Sequence, residues 1–150
     1  MGQYYKLVNL DKKEYLKPHD FGHGAKLVEF TSAGSGMMAG LAILLASGNG
    51  RGGGDLGGDV NMEYVGRWAG DRVVCVGDYD DDDKWVPGSL YSEASEEDNP
   101  EWKNISWEVI RCMCNDEWFA DKMAKHLQYE NVTRIPEWFL PIWSKYQKTA

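Results

Sequence analysis

A run of glycines in the middle of the chain sets the first limit on the fold. Residues 48–59 read GNGRGGGDLGGD and contain seven glycines. Glycine loses more conformational freedom on folding than any other residue, so this run is predicted to be a loop and not a helix or a strand. The regular elements are therefore expected on either side of it.

Strands are predicted before the glycine loop and again directly after it. Each predicted strand is rich in β-branched and aromatic residues. The first two are separated by a short polar turn, as are the last two, which predicts two hairpins, the second being the clearer one. The five predicted strands are 3–9, 14–17, 26–30, 63–68 and 72–76.

Helices are predicted before the glycine loop and through the C-terminal third. Residues 36–47 are apolar on every side, which predicts a helix buried on most faces, with Gly40 allowing another element to approach closely. The apolar spacing of residues 107–127 predicts two helices with a break at residues 115–116.

A last helix is predicted with Pro136 in its first turn, and Pro141 is expected to bend or shorten it. The order of the elements along the chain, with the strands in the first half and most of the helices in the last third, predicts an α+β fold. In this fold an antiparallel sheet from the N-terminal half packs against a buried helix and the C-terminal helices, in a single domain spanning residues 1–150.

Negative charge is concentrated in one part of the sequence. The 150 residues include 16 Lys and Arg against 24 Asp and Glu, for a net charge of −8. Residues 78–101 hold ten of those acids and one base, Lys84, so the remainder of the chain is nearly neutral. An acidic chain is a poor binder of phosphate backbones, which argues against a nucleic-acid partner.

A concentrated negative charge speeds encounter with a positive surface. The leading interpretation is therefore a non-catalytic binding or inhibitory protein that docks its acidic arm, residues 78–101, on a basic protein such as a toxin or a defence protein. Immunity proteins and phage anti-defence proteins use the same physics. Aromatic residues beside the acids would supply the binding anchors. The predicted partner-binding residues are Asp80, Asp81, Asp82, Asp83, Trp85, Glu96, Glu97, Asp98 and Trp102.

The glycine loop carries the alternative function, a small enzyme or a protein that binds a nucleotide or another anionic ligand. Residues 48–53 match G-x-G-x-x-G, but the dinucleotide motif needs a strand before it and a helix after it. Loop amides would bind the anion with Arg51 as counter-charge, and His19 would work with an aspartate in acid–base chemistry. The predicted ligand-binding residues are His19, Gly50, Arg51, Gly53, Asp55 and Asp71.

No metal or cofactor is predicted, and no catalytic residue is assigned. The soft metal ligands are three histidines (His19, His23, His126) and the pair Cys112 and Cys114. On a helix these two cysteines point about 200° apart, so they are interpreted as core thiols. Whether the aspartates at 80–83 hold a divalent cation stays open, since adjacent acids lack the alternating spacing of an ordered calcium site.

The N-terminus lacks the layout of a signal peptide, and the longest apolar stretch is about half the ~20 residues of a membrane span. Three cysteines are too few for a disulfide scaffold. The protein is therefore predicted to be cytoplasmic, without a membrane partner. A third interpretation is a structural subunit that buries its exposed aromatics in a homo-oligomer.

Several short segments of the first half resemble a group of small uncharacterised proteins from bacteria and phages. The segments are MGQYY at 1–5, VNLDKKE at 8–14, PH at 18–19, GLAILL at 40–45, WAGDR at 68–72 and, more loosely, GDY at 77–79. The resemblance implies a bacterial or phage cytosolic protein and carries no activity or site residue with it.

Overall fold

A four-stranded sheet in the order β3-β1-β2-β4 organises the chain. The computed structural model describes residues 2–32, 36–50, 52–57, 63–79, 84–132 and 134–146. The strands are β1 (Tyr5–Asn9), β2 (Glu14–Leu16), β3 (Val73–Gly77) and β4 (Lys103–Asn104). The central strand β1 pairs antiparallel with both β2 and β3, and β4 adds to β2 in parallel. The predicted first hairpin is confirmed.

The sheet is covered on both faces because successive side chains of a strand point to opposite sides. Leu7 lies opposite Leu16 in the hairpin, and both belong to the main core with the helices. One residue further along, Val8 lies opposite Tyr15, and both belong to a second, smaller core. This second core also contains Val76, Leu90, Ala94 and Trp102.

The predicted second hairpin is wrong, because residues 63–70 form turns and not a strand. The amide of Trp68 donates to the carbonyl of Leu44, and Gly66 adopts a φ of 76°, the left-handed region that favours glycine. These contacts hold residues 63–70 against the C-terminal end of the helix that contains Leu44. The strand β3 pairs instead with β1 along five residues, with Cys75 opposite Leu7.

The predicted strand at 26–30 is also wrong, since helix α1 spans Leu27–Thr31. The side chain of Glu29 accepts a hydrogen bond from the Lys26 amide at 3.0 Å and caps the first turn. Phe30 is the buried residue of this helix, whereas Leu27 and Val28 are exposed. One buried position per turn suits a short surface helix better than a strand.

The remaining helices are α2 (Met37–Leu45), α3 (Leu90–Glu93), α4 (Ser106–Met113), α5 (Glu117–Tyr129) and α6 (Leu140–Lys145). Short 3-10 helices cover Pro18–Phe21 and Glu137–Phe139. The predicted break at residues 115–116 is confirmed, because Asp116 caps α5 through the amide of Trp118 at 2.9 Å.

Helix α2 is confirmed, although it is less buried than predicted. Met37, Gly40 and Leu44 are buried, while Leu45 is 42% exposed. A Cβ added at Gly40 would lie 2.8 Å from Val109 Cγ1, so this glycine does permit the close approach of α4. The last helix differs in its start, since a 3-10 turn follows Pro136 and Pro141 lies in the first turn of α6.

The α+β fold class is confirmed: a mostly antiparallel sheet packs against the helices. None of the helices in the described part of the chain is long and apolar enough to cross a bilayer.

Candidate functional site

The described part of the acidic arm contains one well-ordered acidic feature, which we call the acidic turn (residues 95–101). Its backbone is closed by a hydrogen bond from the Asn99 amide to the Ser95 carbonyl at 2.8 Å. The Asn99 side chain also donates to the Glu93 carbonyl at 2.8 Å. The Glu96 amide donates to the hydroxyl of the buried Tyr15 at 3.0 Å. The turn is therefore tied to the sheet.

Four carboxylates of the acidic turn are exposed: Glu96, Glu97, Asp98 and Glu101. Within the described residues the ion pairs join Lys12 to Asp71, Arg67 to Glu14, Arg72 to Asp11, Lys125 to Asp121 and Lys145 to Glu117. No member of the acidic turn takes part in any of them. The Glu96 carboxylate does accept the Asn104 amide at 3.0 Å. The turn thus keeps its negative charge.

The aspartates at 80–83, predicted to bind the partner, lie outside the described residues, as does Arg51 of the alternative site. At the near end of the arm, Asp78 is held by the N-terminal segment, because its carboxylate accepts the Tyr4 amide at 2.9 Å. Trp85 is 39% exposed, and the Lys84 ammonium lies 4.6 Å from the centre of its ring. Its role as a partner anchor stays a prediction.

Trp102 is not an exposed anchor, which corrects the prediction for this residue. Its side chain is 2% exposed and packs in the second core with Val8 and Tyr15. The sequence could not separate the two roles, since a tryptophan beside a run of acids serves equally to bind a partner or to anchor the run. Its Nε1 is the buried side-chain polar atom without a hydrogen-bond partner among the described residues.

Several amides of the glycine loop donate hydrogen bonds to acceptors within the loop or on Asp116, the N-cap of α5. The Gly52 amide donates to the Asp55 carboxylate at 2.9 Å, and the Gly57 amide donates to Asp116 at 2.7 Å. The Asn49 side chain exchanges two hydrogen bonds with the backbone of Leu56, both at 3.0 Å. These amides therefore face acceptors of the chain itself and not a shared anion cradle.

The other residues of the alternative ligand site are tied to separate partners. Asp71 accepts hydrogen bonds from Asn9 and Lys12 at the turn of the first hairpin. The Nδ1 atom of His19 lies 3.1 Å from the His23 carbonyl. Asp55 stays within its own loop, and Gly50 and Gly53 are exposed. Among the described residues, the hydrogen bonds of His19, Asp55 and Asp71 go to separate partners and do not join these residues into one site.

Two of the histidines that the sequence offers as metal ligands, buried His23 and half-buried His126, lie next to each other. The rings of His23 and His126 lie 4.8 Å apart, and His23 lines a cavity of about 270 Å³ together with His19 and Glu130. The Nε2 atom of His23 accepts the Met37 amide at 3.4 Å, and that of His126 lies 3.1 Å from the Gly22 carbonyl. Burial, and then the charge of His126, lowers the pKa of His23 to about 4.

These histidines are therefore bonded to backbone groups, and no group of three potential metal ligands occurs in the described residues. Cys112 is buried, and burial raises its pKa. Burial, together with Cys112, raises the pKa of Cys114 to about 12. Thiols held protonated in this way are poor nucleophiles and poor metal ligands, as core thiols are.

The structure also reveals a buried lysine that the sequence reading missed. Lys6 is 8% exposed, and its ammonium donates to the carbonyls of Ala94 at 2.7 Å and Tyr91 at 2.9 Å. The rings of Tyr91 and Tyr15 lie 4.3 and 5.1 Å from it. Burial, followed by the charge of Lys17, lowers the pKa of Lys6 to about 8. The sequence offers one indication of this burial: Lys6 lies two residues before the apolar Val8, so both side chains lie on the same face of β1.

Lys6 lines a polar cavity of about 190 Å³ next to the acidic turn. The other lining residues are Tyr15, Lys17, Tyr91, Ser95, Glu96, Glu97 and Asn104. The cavity therefore joins strand β1, the end of α3 and the acidic turn in one place.

Compared with known protein families, curated proteins and solved structures, the chain matches none of them. The resemblance to small bacterial and phage proteins accordingly stays a prediction.

Proposed function

We propose that this chain is a non-catalytic binding protein that docks its acidic turn on a basic surface of another protein. One observation carries the proposal: four exposed carboxylates lie on a backbone that is held in place, and none of them is ion-paired within the described residues. Charges that the chain does not neutralise keep their field available for an approaching partner.

The rigidity of the turn adds to the proposal. Tyr15 holds the Glu96 amide, and Asn99 closes the turn through both its amide and its side chain. Association costs less free energy when the interface is already ordered, because fewer side chains and backbone torsions must be fixed on binding. A preformed acidic surface therefore suits a partner that presents a preformed basic one.

The sign of the charge selects the class of partner. Phosphate backbones and anionic lipid surfaces repel a surface with four unpaired carboxylates. A protein that itself binds phosphates presents the complementary basic surface, and covering that surface would inhibit it. The inhibitory role, the toxin or defence partner and a cytoplasmic location in a bacterium or a phage-infected cell all belong to this proposal.

The proposal is tested by capture of the partner on the immobilised full-length chain from a bacterial lysate at low salt, followed by binding with the purified partner. The test variant neutralises the acidic turn (E96Q/E97Q/D98N/E101Q). The matched control makes the same change in net charge at exposed acids elsewhere (E63Q/E117Q/E130Q/E137Q).

We expect the turn variant to bind the partner at least about tenfold more weakly, which corresponds to 1.4 kcal/mol, and the control to bind like the wild type. Equal losses in both variants would contradict the proposal, since they would show a general effect of net charge. Unchanged binding by the turn variant would contradict it as well.

The exposed Trp85 offers a separate check on where the partner contacts the arm. If its ring is buried on docking, Trp85→Ala should weaken binding by about 2 kcal/mol, as for other aromatic anchors. Trp118, which is exposed on α5, provides the control. An effect from Trp118→Ala alone would place the interface on the C-terminal helices and not on the acidic arm.

A further inference from the structure

The cavity beside the acidic turn is lined by positively and negatively charged side chains that form no ion pairs with one another. Lys6 and Lys17 line it together with Glu96 and Glu97. Within the described residues none of these four forms an ion pair, so no ammonium nitrogen lies within 4.0 Å of a carboxylate oxygen in this set. Opposite charges kept apart around one cavity are suited to a ligand that carries both charges itself.

Lys6 supplies a buried binding group. Its ammonium has three donors, and the carbonyls of Tyr91 and Ala94 accept two of them. The tyrosine rings at 4.3 and 5.1 Å hold the ammonium further, and the charge of Asp98 also favours it, yet no carboxylate among the described residues is within ion-pair distance of it. A buried cation without a counter-ion is costly, and an anionic group of a ligand would offset that cost.

The size of the cavity limits the ligand to a small molecule. At the ~30 Å³ that a water molecule occupies in the liquid, about 190 Å³ has room for about six waters. That volume matches a molecule of a few heavy atoms, and the polar lining from Ser95 and Asn104 suits hydrogen bonding over apolar packing.

We propose that this cavity binds a small zwitterion of the free amino-acid class, with its carboxylate at Lys6 and Lys17 and its ammonium group at Glu96 and Glu97. The binding is non-covalent and independent of the partner proposed above, because the isolated chain contains the whole cavity. The lowered pKa of Lys6 agrees with this site: a carboxylate bound beside it would favour the charged ammonium and raise that pKa.

The test uses the isolated full-length chain and the common L-amino acids, added one at a time, with binding measured by calorimetry. The two halves of the ligand, acetate and methylammonium, are titrated separately. Lysine Cε and Nζ nuclear magnetic resonance signals report the pKa of Lys6 in each case. We expect at least one amino acid to bind, both half-ligands to bind about tenfold more weakly, and the bound amino acid to raise the pKa of Lys6.

Two pairs of variants separate the site from general charge effects. Lys17→Met and Glu97→Gln, at lining positions, should each weaken the amino acid about tenfold. Lys103→Met and Glu137→Gln remove the same charges at exposed positions outside the lining and should leave binding unchanged. Lys6→Met is avoided as the main test, because Lys6 also holds the end of α3.

The proposal is overturned if no amino acid binds, if acetate alone binds as tightly as the amino acid, or if the control variants weaken binding as much as the lining variants. None of these results bears on partner docking, which is measured with the captured protein and the four-fold turn variant. If the turn variant docks as tightly as the wild type while the wild-type chain still binds an amino acid, the proposed function alone is overturned.

Discussion

Two acidic regions of this molecule differ in whether their carboxylates form ion pairs. At the first hairpin, Asp11 pairs with Arg72 and Asp71 pairs with Lys12. In the acidic turn, exposed carboxylates have no such partner within the described residues. The difference shows that carboxylates of the same kind stabilise the fold through ion pairs in one region and form an exposed negative surface in the other.

Glu14 is the clearest member of the paired group. This buried carboxylate accepts hydrogen bonds from the Arg67 guanidinium and, at 2.8 Å, from the Trp68 indole. It thereby fixes the segment 63–70 against the sheet through Arg67 and Trp68, which lie 53 and 54 residues further along the chain. The paired carboxylates thus join segments that are distant in sequence.

The largest expected effect comes from breaking a paired acid. Glu14→Ala removes all three hydrogen bonds from Arg67 and leaves the buried Trp68 indole without an acceptor, so the free energy of unfolding should fall by about 3 kcal/mol. Glu97→Ala, in the acidic turn, should change it by less than about 0.5 kcal/mol. Urea unfolding of both variants measures the contrast. Similar losses in the two would remove the distinction between the regions.

The pH dependence of stability also distinguishes the two regions, provided that the contribution of His23 is measured apart from that of the aspartates. The pKa of buried His23 is lowered from 6.5 to about 4. The unfolded chain therefore takes up a proton first as the pH falls, and stability is full above pH 6.5 and declines toward pH 4. At 1.36 kcal/mol per unit the loss amounts to about 3 kcal/mol.

His23→Gln should lower stability at neutral pH and remove most of this slope, as measured by urea midpoints across the same range. His19→Gln, an exposed neighbour, is the control and should keep the slope. If the slope survives in His23→Gln, the buried imidazole is not its source.

In the His23→Gln background the paired acids should dominate at lower pH. Hydrogen bonds from the Arg72 side chain lower the pKa of Asp11, and those from Asn9 and Lys12 lower the pKa of Asp71. Both contribute stability above the ordinary aspartate pKa of 3.8 and lose it as the pH falls through their folded values. Asp11→Asn should flatten this loss. An equal flattening by Asp98→Asn would contradict the account.

The smallest expected effect is on the stability of the turn variant E96Q/E97Q/D98N/E101Q. Removing four like charges relieves mutual repulsion, so its free energy of unfolding should equal or slightly exceed that of the wild type, within about 0.5 kcal/mol at low salt. Thermal unfolding at two salt concentrations measures this. A clear loss of stability would mean that these carboxylates support the fold after all.

The sequence predicted the elements whose signals are local. The first hairpin, helix α2, the approach permitted by Gly40 and the break at residues 115–116 all follow from turn residues, apolar spacing and caps. The strand β3 was also placed near its position, although its partner was not.

The errors arise where distant contacts decide the outcome. Residues 63–68 have the composition of a strand, but Glu14 and the end of α2 hold Trp68 in a turn. At the candidate site, the burial of Trp102 and of Lys6 is what the sequence does not predict. No local pattern indicates that a tryptophan beside acids lies in a core, and the period of the strand places Lys6 on the face of Val8 without showing that the end of α3 covers it.

The most direct test of the central claim is the association rate of the captured partner measured against ionic strength for the wild type, the turn variant and the matched control. We predict that the rate of the wild type and of the control falls steeply with salt, and that the turn variant associates more slowly with a much shallower dependence. The same steep dependence in all three proteins would show that the unpaired carboxylates of the acidic turn do not steer the partner.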